Sequence, residues 1–207
     1  MTTLLGLRLE DPSEVNFTSA TKINALNVGQ RTLVNLIHES YLTELEQVYL
    51  ALPTSPWDPT ANGYLALGTL FTPLRNRIMA IEVKYGGGYK FGAMVPFYDA
   101  KDIENSYLTP DESSPVAWVV NNKLHIRPYA TLTAIKIYHL SSPSAIASNA
   151  NSPLNAGLHD IIVDLAEAEL WKMDNNVSRS QLAREMGIQQ IQVLNERYGA
   201  EAPKEVQ

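Results

Sequence analysis

The spacing of apolar residues divides the chain into helical and β-like stretches. Leu4–Glu10 forms a short apolar turn stopped by Asp11-Pro12. With Thr18 or Ser19 as N-cap, Ile23, Leu26, Leu33, Ile37 and Tyr41 recur at i, i+3, i+10, i+14 and i+18, which predicts a packed amphipathic helix. Leu42, Leu45, Val48 and Tyr49 extend that pattern to about Leu52, where Pro53 and Pro56 end it. Residues 53–75 hold four prolines and read as a connection that packs through Trp57 and Leu65–Leu70.

From Ile78 the period changes to two. Met79, Ile81 and Val83 alternate with Ala80, Glu82 and Lys84, predicting a half-buried strand. Gly86-Gly87-Gly88 and the run Tyr89–Val95 complete a hairpin with a pliable tip. Val116–Val120 and Lys123–Arg127 predict a second hairpin across Asn121-Asn122, since Asn tolerates positive φ. Leu132–Leu140 is a third strand, and Asp99–Tyr107 holds a short helical turn. The segment 141–157 reads as a flexible surface linker. Leu158, Ile161, Ile162, Leu165, Ala168 and Trp171 mark a helix broken at Asp174-Asn175-Asn176. Ser178 with Gln181 is a capping-box signature for a last helix that carries Ile188, Ile191, Leu194 and Tyr198 and stops at Gly199.

This order predicts an α+β fold. A helical bundle forms from 1–57 and 158–199, an antiparallel β-sandwich or barrel-like domain is inserted at 58–157, and 200–207 is a flexible tail. Charge follows the same division. Three basic and six acidic residues lie in 1–57, eight and seven in 58–157, and five and nine in 158–207.

Composition narrows the function. The 207 residues include no cysteine, which excludes disulfides, thiolate metal sites and a cysteine nucleophile. The net charge of −6 argues against a protein that neutralises many phosphates. No basic and apolar leader opens the chain, and no apolar run has a membrane span's length, so the expectation is a soluble protein without membrane contact. Charged residues are scarce at 18%, and Ser, Thr, Asn and Gln fill their place with 14, 13, 15 and 7 copies.

Catalytic chemistry has little to build on. His38, His125, His139 and His159 have no second histidine at metal-ligand spacing. His159-Asp160 reads as a helix start with an acid in the first turn rather than a base and its orienter. No Gly-x-Ser-x-Gly elbow occurs. The triple glycine lacks a phosphate loop's lysine and following helix. The pairs Asp99/Asp102 and Asp111/Glu112 match no calcium loop. The expectation is therefore no enzyme, no cofactor and no metal. Tyrosine points elsewhere: Tyr64, Tyr85, Tyr89, Tyr98, Tyr107 and Tyr129 sit in loops or beside glycine, a placement common at protein–protein contacts.

Three segments together resemble the head–tail connector (portal adaptor, head-completion) proteins of tailed bacteriophages. Ile23–Leu33 followed by Tyr41–Leu45 is similar to that family's first long helix. Trp118–Pro128 through Ile135–Tyr138 to Ser142-Pro143 is similar to its β segment, and Leu158–Trp171 to the helix that follows. The resemblance implies a virion protein, assembled in the host cytoplasm, with no catalytic residues. It would form a closed ring of about a dozen copies beneath the portal, join portal to tail and neck proteins, and line a conduit for passing DNA. The partner-contact candidates are Tyr85, Gly87, Tyr89 and Lys90 at the glycine hairpin, and Glu201, Lys204 and Gln207 in a tail expected to order on assembly. The alternative is a carbohydrate- or receptor-binding β module of a phage tail.

Overall fold

A computed structural model describes residues 1–52, 63–69, 73–100, 110–148 and 150–201. They form two compact units, Met1–Leu45 with Pro143–Gln207, and Glu46–Ser142. The fold is mixed α+β, with helices in the first unit and a curled seven-stranded sheet in the second. Expected packing of Trp57, most of the turn at Asp99–Tyr107, and the tail beyond Glu201 lie outside the described residues.

The helical unit contains α1 (Thr2–Arg8), α2 (Ser19–Leu36), α3 (His159–Met173) and α4 (Val177–Glu201). Thr18 caps α2, its side chain accepting from the Thr21 N–H. Residues Ile161–Ala166, Ala168, Leu170 and Trp171 of α3 are all buried, as a helix packed on several sides requires. It packs mainly against α2 and α4, with α1 also in contact. The α1–α2 connection is tied by Asp11, whose carboxylate accepts from the N–H groups of Val15, Asn16 and Phe17. The buried Lys22 ammonium caps the Asp11 carbonyl at 2.7 Å and pairs with the carboxylate at 3.4 Å.

Three expectations change in this unit. The segment after Ser142 is pinned rather than free. Ile146 and Leu154 are buried. Asn27 on α2 exchanges two hydrogen bonds with the Ile146 backbone, and Gln30 donates to the Ser144 carbonyl at 2.9 Å. Side-chain amides on a helix face thus substitute for the ladder that low-complexity sequence lacks. The cap of α4 is Asn176, which accepts from the Arg179 N–H, not Ser178. Gly199 does not stop α4, which continues to Glu201.

The sheet unit has the strand order β1-β7-β3-β4-β5-β6-β2. The strands are β1 (Glu46–Ala51), β2 (Tyr64–Ala66), β3 (Ile78–Lys84), β4 (Tyr89–Met94), β5 (Val116–Val120), β6 (Lys123–Arg127) and β7 (Ala134–Leu140). Asn121 (φ 48°) and Asn122 (φ 58°) make the predicted tight turn between β5 and β6. Ala51 from one end of the order and Leu65 from the other share one core with Ile81, Leu124, Ile135 and Ile137, which requires the sheet to curl.

Residues 46–51, expected to extend the first helix, are instead β1. α2 ends at Leu36, two short 3-10 turns follow, and all six residues of Glu46–Ala51 pair with β7. A strand 90 residues downstream is invisible to local periodicity, so the sheet unit begins at 46 and not 58. Tyr64–Ala66, within the expected connection, pairs with β6. Met79 points outward, because a register shift between Ile78 and Ala80 turns Ile78 into the core instead. One neighbouring pair, β4 with β5, is parallel rather than antiparallel.

Candidate interaction surfaces

The outward face of β1, β7, β3 and β4 carries a row of exposed apolar side chains. Val48 pairs with Tyr138, which pairs with Ala80; Leu50 pairs with Lys136, then Glu82, then Phe91. Phe91 is 71% exposed, and Val48, Leu50 and Met79 are also exposed. A groove of about 460 Å³ runs between Val48, Met79, Phe91 and Tyr138. Beside it, Lys136 donates to Glu82 at 2.9 Å and lies 4.0 Å from the Tyr89 ring centroid. That hydrogen bond holds the Glu82 carboxyl below its usual range and raises the Lys136 ammonium above its own. Both stay charged near neutrality.

The β5–β6–β2 end of the sheet carries an aromatic ladder. Trp118 and His125 are cross-strand partners, their rings stacked at 5.4 Å and 7°. Tyr64, paired with His125 on the other side, tilts against it at 5.5 Å. Lys123 lies over Tyr64 at 4.1 Å, and Arg127 over Trp118 at 5.5 Å and over Tyr129 at 4.7 Å. The rings spend their faces on one another and on cations, and Trp118 is 4% exposed. The ladder staples three strands.

The partner-contact candidates separate. Tyr85, Gly87, Tyr89 and Lys90 all belong to the β3–β4 hairpin, where residues 85–88 form the loop. Gly87 and Lys90 are exposed, and Tyr89 is half-buried between two lysines. Tyr85 points inward. It is 3% exposed, packs in the sheet core and donates to the Pro128 carbonyl at 2.8 Å. Burial pushes its phenol up to about 12. Glu201 ends α4, while Lys204 and Gln207 lie outside the described residues. Among the other tyrosines, Tyr98 is exposed and Tyr107 lies outside the described residues.

His38 and His159 make local hydrogen bonds. His38 Nδ1 accepts from Ser40 N–H, and His38 N–H donates to Asn195. His139 is buried. His159 opens α3 and contacts the Leu154 carbonyl at 3.0 Å, with Asp160 in the first turn 3.8 Å from Arg8. Asp111 is occupied by Ser113 and Ser114, and Asp102 lies outside the described residues. Among the described residues no three or more His, Asp or Glu side chains converge to hold a metal. No described helix is long and apolar enough to cross a membrane.

The sequence reading missed the outward apolar row. Its signal was present: Val48, Leu50 and Leu52 alternate, as in a strand, but the helical reading absorbed them. The fold and its surfaces define an α+β protein with a helical unit, a curled sheet and exposed apolar faces. In comparisons with known proteins, no family model matches this chain, and no curated protein does.

Proposed function

We propose that this protein is a structural subunit of a phage virion neck, a ring-forming connector between portal and tail without enzymatic activity. The observation that carries the reading is chain order. Met1–Leu45 and Pro143–Gln207 fold into one helical unit, interrupted in sequence by the sheet unit Glu46–Ser142. A helical bundle with an inserted sandwich- or barrel-like domain is the arrangement the sequence resemblance implies. The outward apolar row of Val48, Leu50, Met79 and Phe91 supplies surface for a lateral neighbour. A closed ring needs such heterologous faces. The acidic terminal regions of the sequence would discourage passing DNA from adhering to the conduit.

Native mass spectrometry and negative-stain imaging of the chain with the portal protein of its own genome test this reading. Closed rings on the portal support it. A protein that stays monomeric with portal and binds glycans overturns it in favour of the carbohydrate-binding alternative. The aromatic ladder lends that alternative little support, because its rings are stacked internally.

A further inference from the structure

Among the described residues, α4 presents an exposed seam. Arg179, Leu182, Met186, Gln189, Val193 and Glu196 follow one another at spacings of three and four, the heptad rhythm of a helix–helix interface, and all six are exposed. The buried side of α4 is a different one, carrying Ala183 and Ile191. Leu182 is 61% exposed, Met186 49% and Val193 42%. Grooves of about 380 Å³ and about 370 Å³ flank Met186, the first with an apolar floor at Leu182 and Ala183 and a charged rim that includes Arg8, Glu10 and Glu167, the second bordered by Ile161, Val193 and Leu194. Knobs from a facing helix would seat there.

The charges at the two ends of the seam select the occupant. Arg179 stands at one end and Glu196 at the other. We propose that α4 pairs antiparallel with α4 of a second copy of this chain, about a two-fold axis midway between Met186 and Gln189. In that register Leu182 meets Val193 of the second copy, and Met186 meets its Gln189. Arg179 meets the second Glu196 at both ends, and no like charges face each other. A parallel, in-register pairing would set Arg179 on Arg179 and Glu196 on Glu196. The Arg179 guanidinium already rests 4.7 Å from the Trp171 ring centroid, so less freedom is lost when it engages a carboxylate. The seam is roughly 26 Å long at 1.5 Å per residue. One helix pair of that length buries less than the roughly 1,200 Å² of stable complexes, so the dimer is weak and reversible. The pairing is isologous, unlike the head-to-tail contacts of a ring, and does not depend on that reading.

Sedimentation of the full chain alone, from low-micromolar to submillimolar concentration, tests the pairing. A reversible monomer–dimer equilibrium is expected, lost in the double variant L182E/M186E. E196R sets arginine against arginine and weakens the dimer at least about tenfold, and R179E/E196R restores it. The chain contains no cysteine, so introduced pairs report register. A mixture of M186C and Q189C proteins forms a mixed disulfide under mild oxidation. L182C alone does not, its two copies lying roughly 16 Å apart along the axis. A monomer at every concentration, an unaffected E196R, or self-crosslinking of L182C overturns the proposal.

Discussion

Gly29 on α2 meets α3 so closely that a Cβ placed there would lie 2.6 Å from the Ile162 carbonyl oxygen. The same atom would lie 3.1 Å from the Ala166 nitrogen, so both obstacles are helix backbone and neither can swing aside. Gly29→Ala must therefore push α2 away from α3, and overpacking of this kind costs about 3 kcal/mol. Gly87→Ala at the open hairpin tip, with nothing within 4 Å, changes stability by less than about 0.5 kcal/mol. Urea denaturation of the two variants gives the comparison.

Trp118 is buried between His125 and Arg127. Trp118→Ala removes the β5 end of the ladder and leaves a cavity, at a cost of about 3–4 kcal/mol. Trp118→Phe retains part of the stack and loses less. Chemical denaturation followed by far-UV circular dichroism measures both.

Asp11 gives the helical unit an acid-sensitive tie. Burial opposes its charge, but the N–H groups of Phe17, Asn16 and Val15, with Lys22, prevail and hold the carboxyl below its ordinary value. A carboxylate depressed in the folded state contributes stability that is fully present above the unfolded pKa of about 3.9. That contribution is lost as pH falls through the lower folded value. Asp11→Asn should lower stability at pH 7 and flatten the decline of stability below about pH 4. Urea midpoints measured from neutral to acidic pH would show an unchanged slope if Asp11 had no such role.

His139 acts in the sheet unit and in a higher pH window. Burial pushes its imidazole below the ordinary value of 6.5, and the hydrogen bond involving the Ile137 backbone offsets this only in part. The unfolded chain then takes up a proton below about pH 6.5 that the folded chain does not. Stability falls with pH from there until the folded pKa is reached. His139→Gln should remove that segment of the pH profile, read as thermal midpoints between pH 7.5 and about pH 5.

Several elements were legible from sequence because their determinants are local. The α2 start needs only Thr18 and the apolar spacing behind it, and the β5–β6 hairpin needs only two asparagines that accept positive φ. Glu46–Ala51 failed the same reading, since Leu42, Leu45, Val48 and Tyr49 satisfy a helical stripe as well as Val48, Leu50 and Leu52 satisfy alternation. Pairing with β7 decided between them. The hairpin that carries four of the contact candidates formed where the alternation predicted it, and Tyr85 within it is buried. Its direction depends on the Pro128 carbonyl 43 residues away.

By itself the sequence determined which segments could be helices, where the tight turns fall, the absence of cysteine chemistry and the surplus of neutral polar residues. These depend on neighbours a few residues apart and on composition. Only the tertiary structure decided that 46–51 is a strand, that Ser144 and Ile146 are bonded to α2, and that Val48, Phe91, Leu182 and Met186 remain outside. Burial is a property of what packs against a side chain, and the packing partners here are separated by tens to more than a hundred residues of chain.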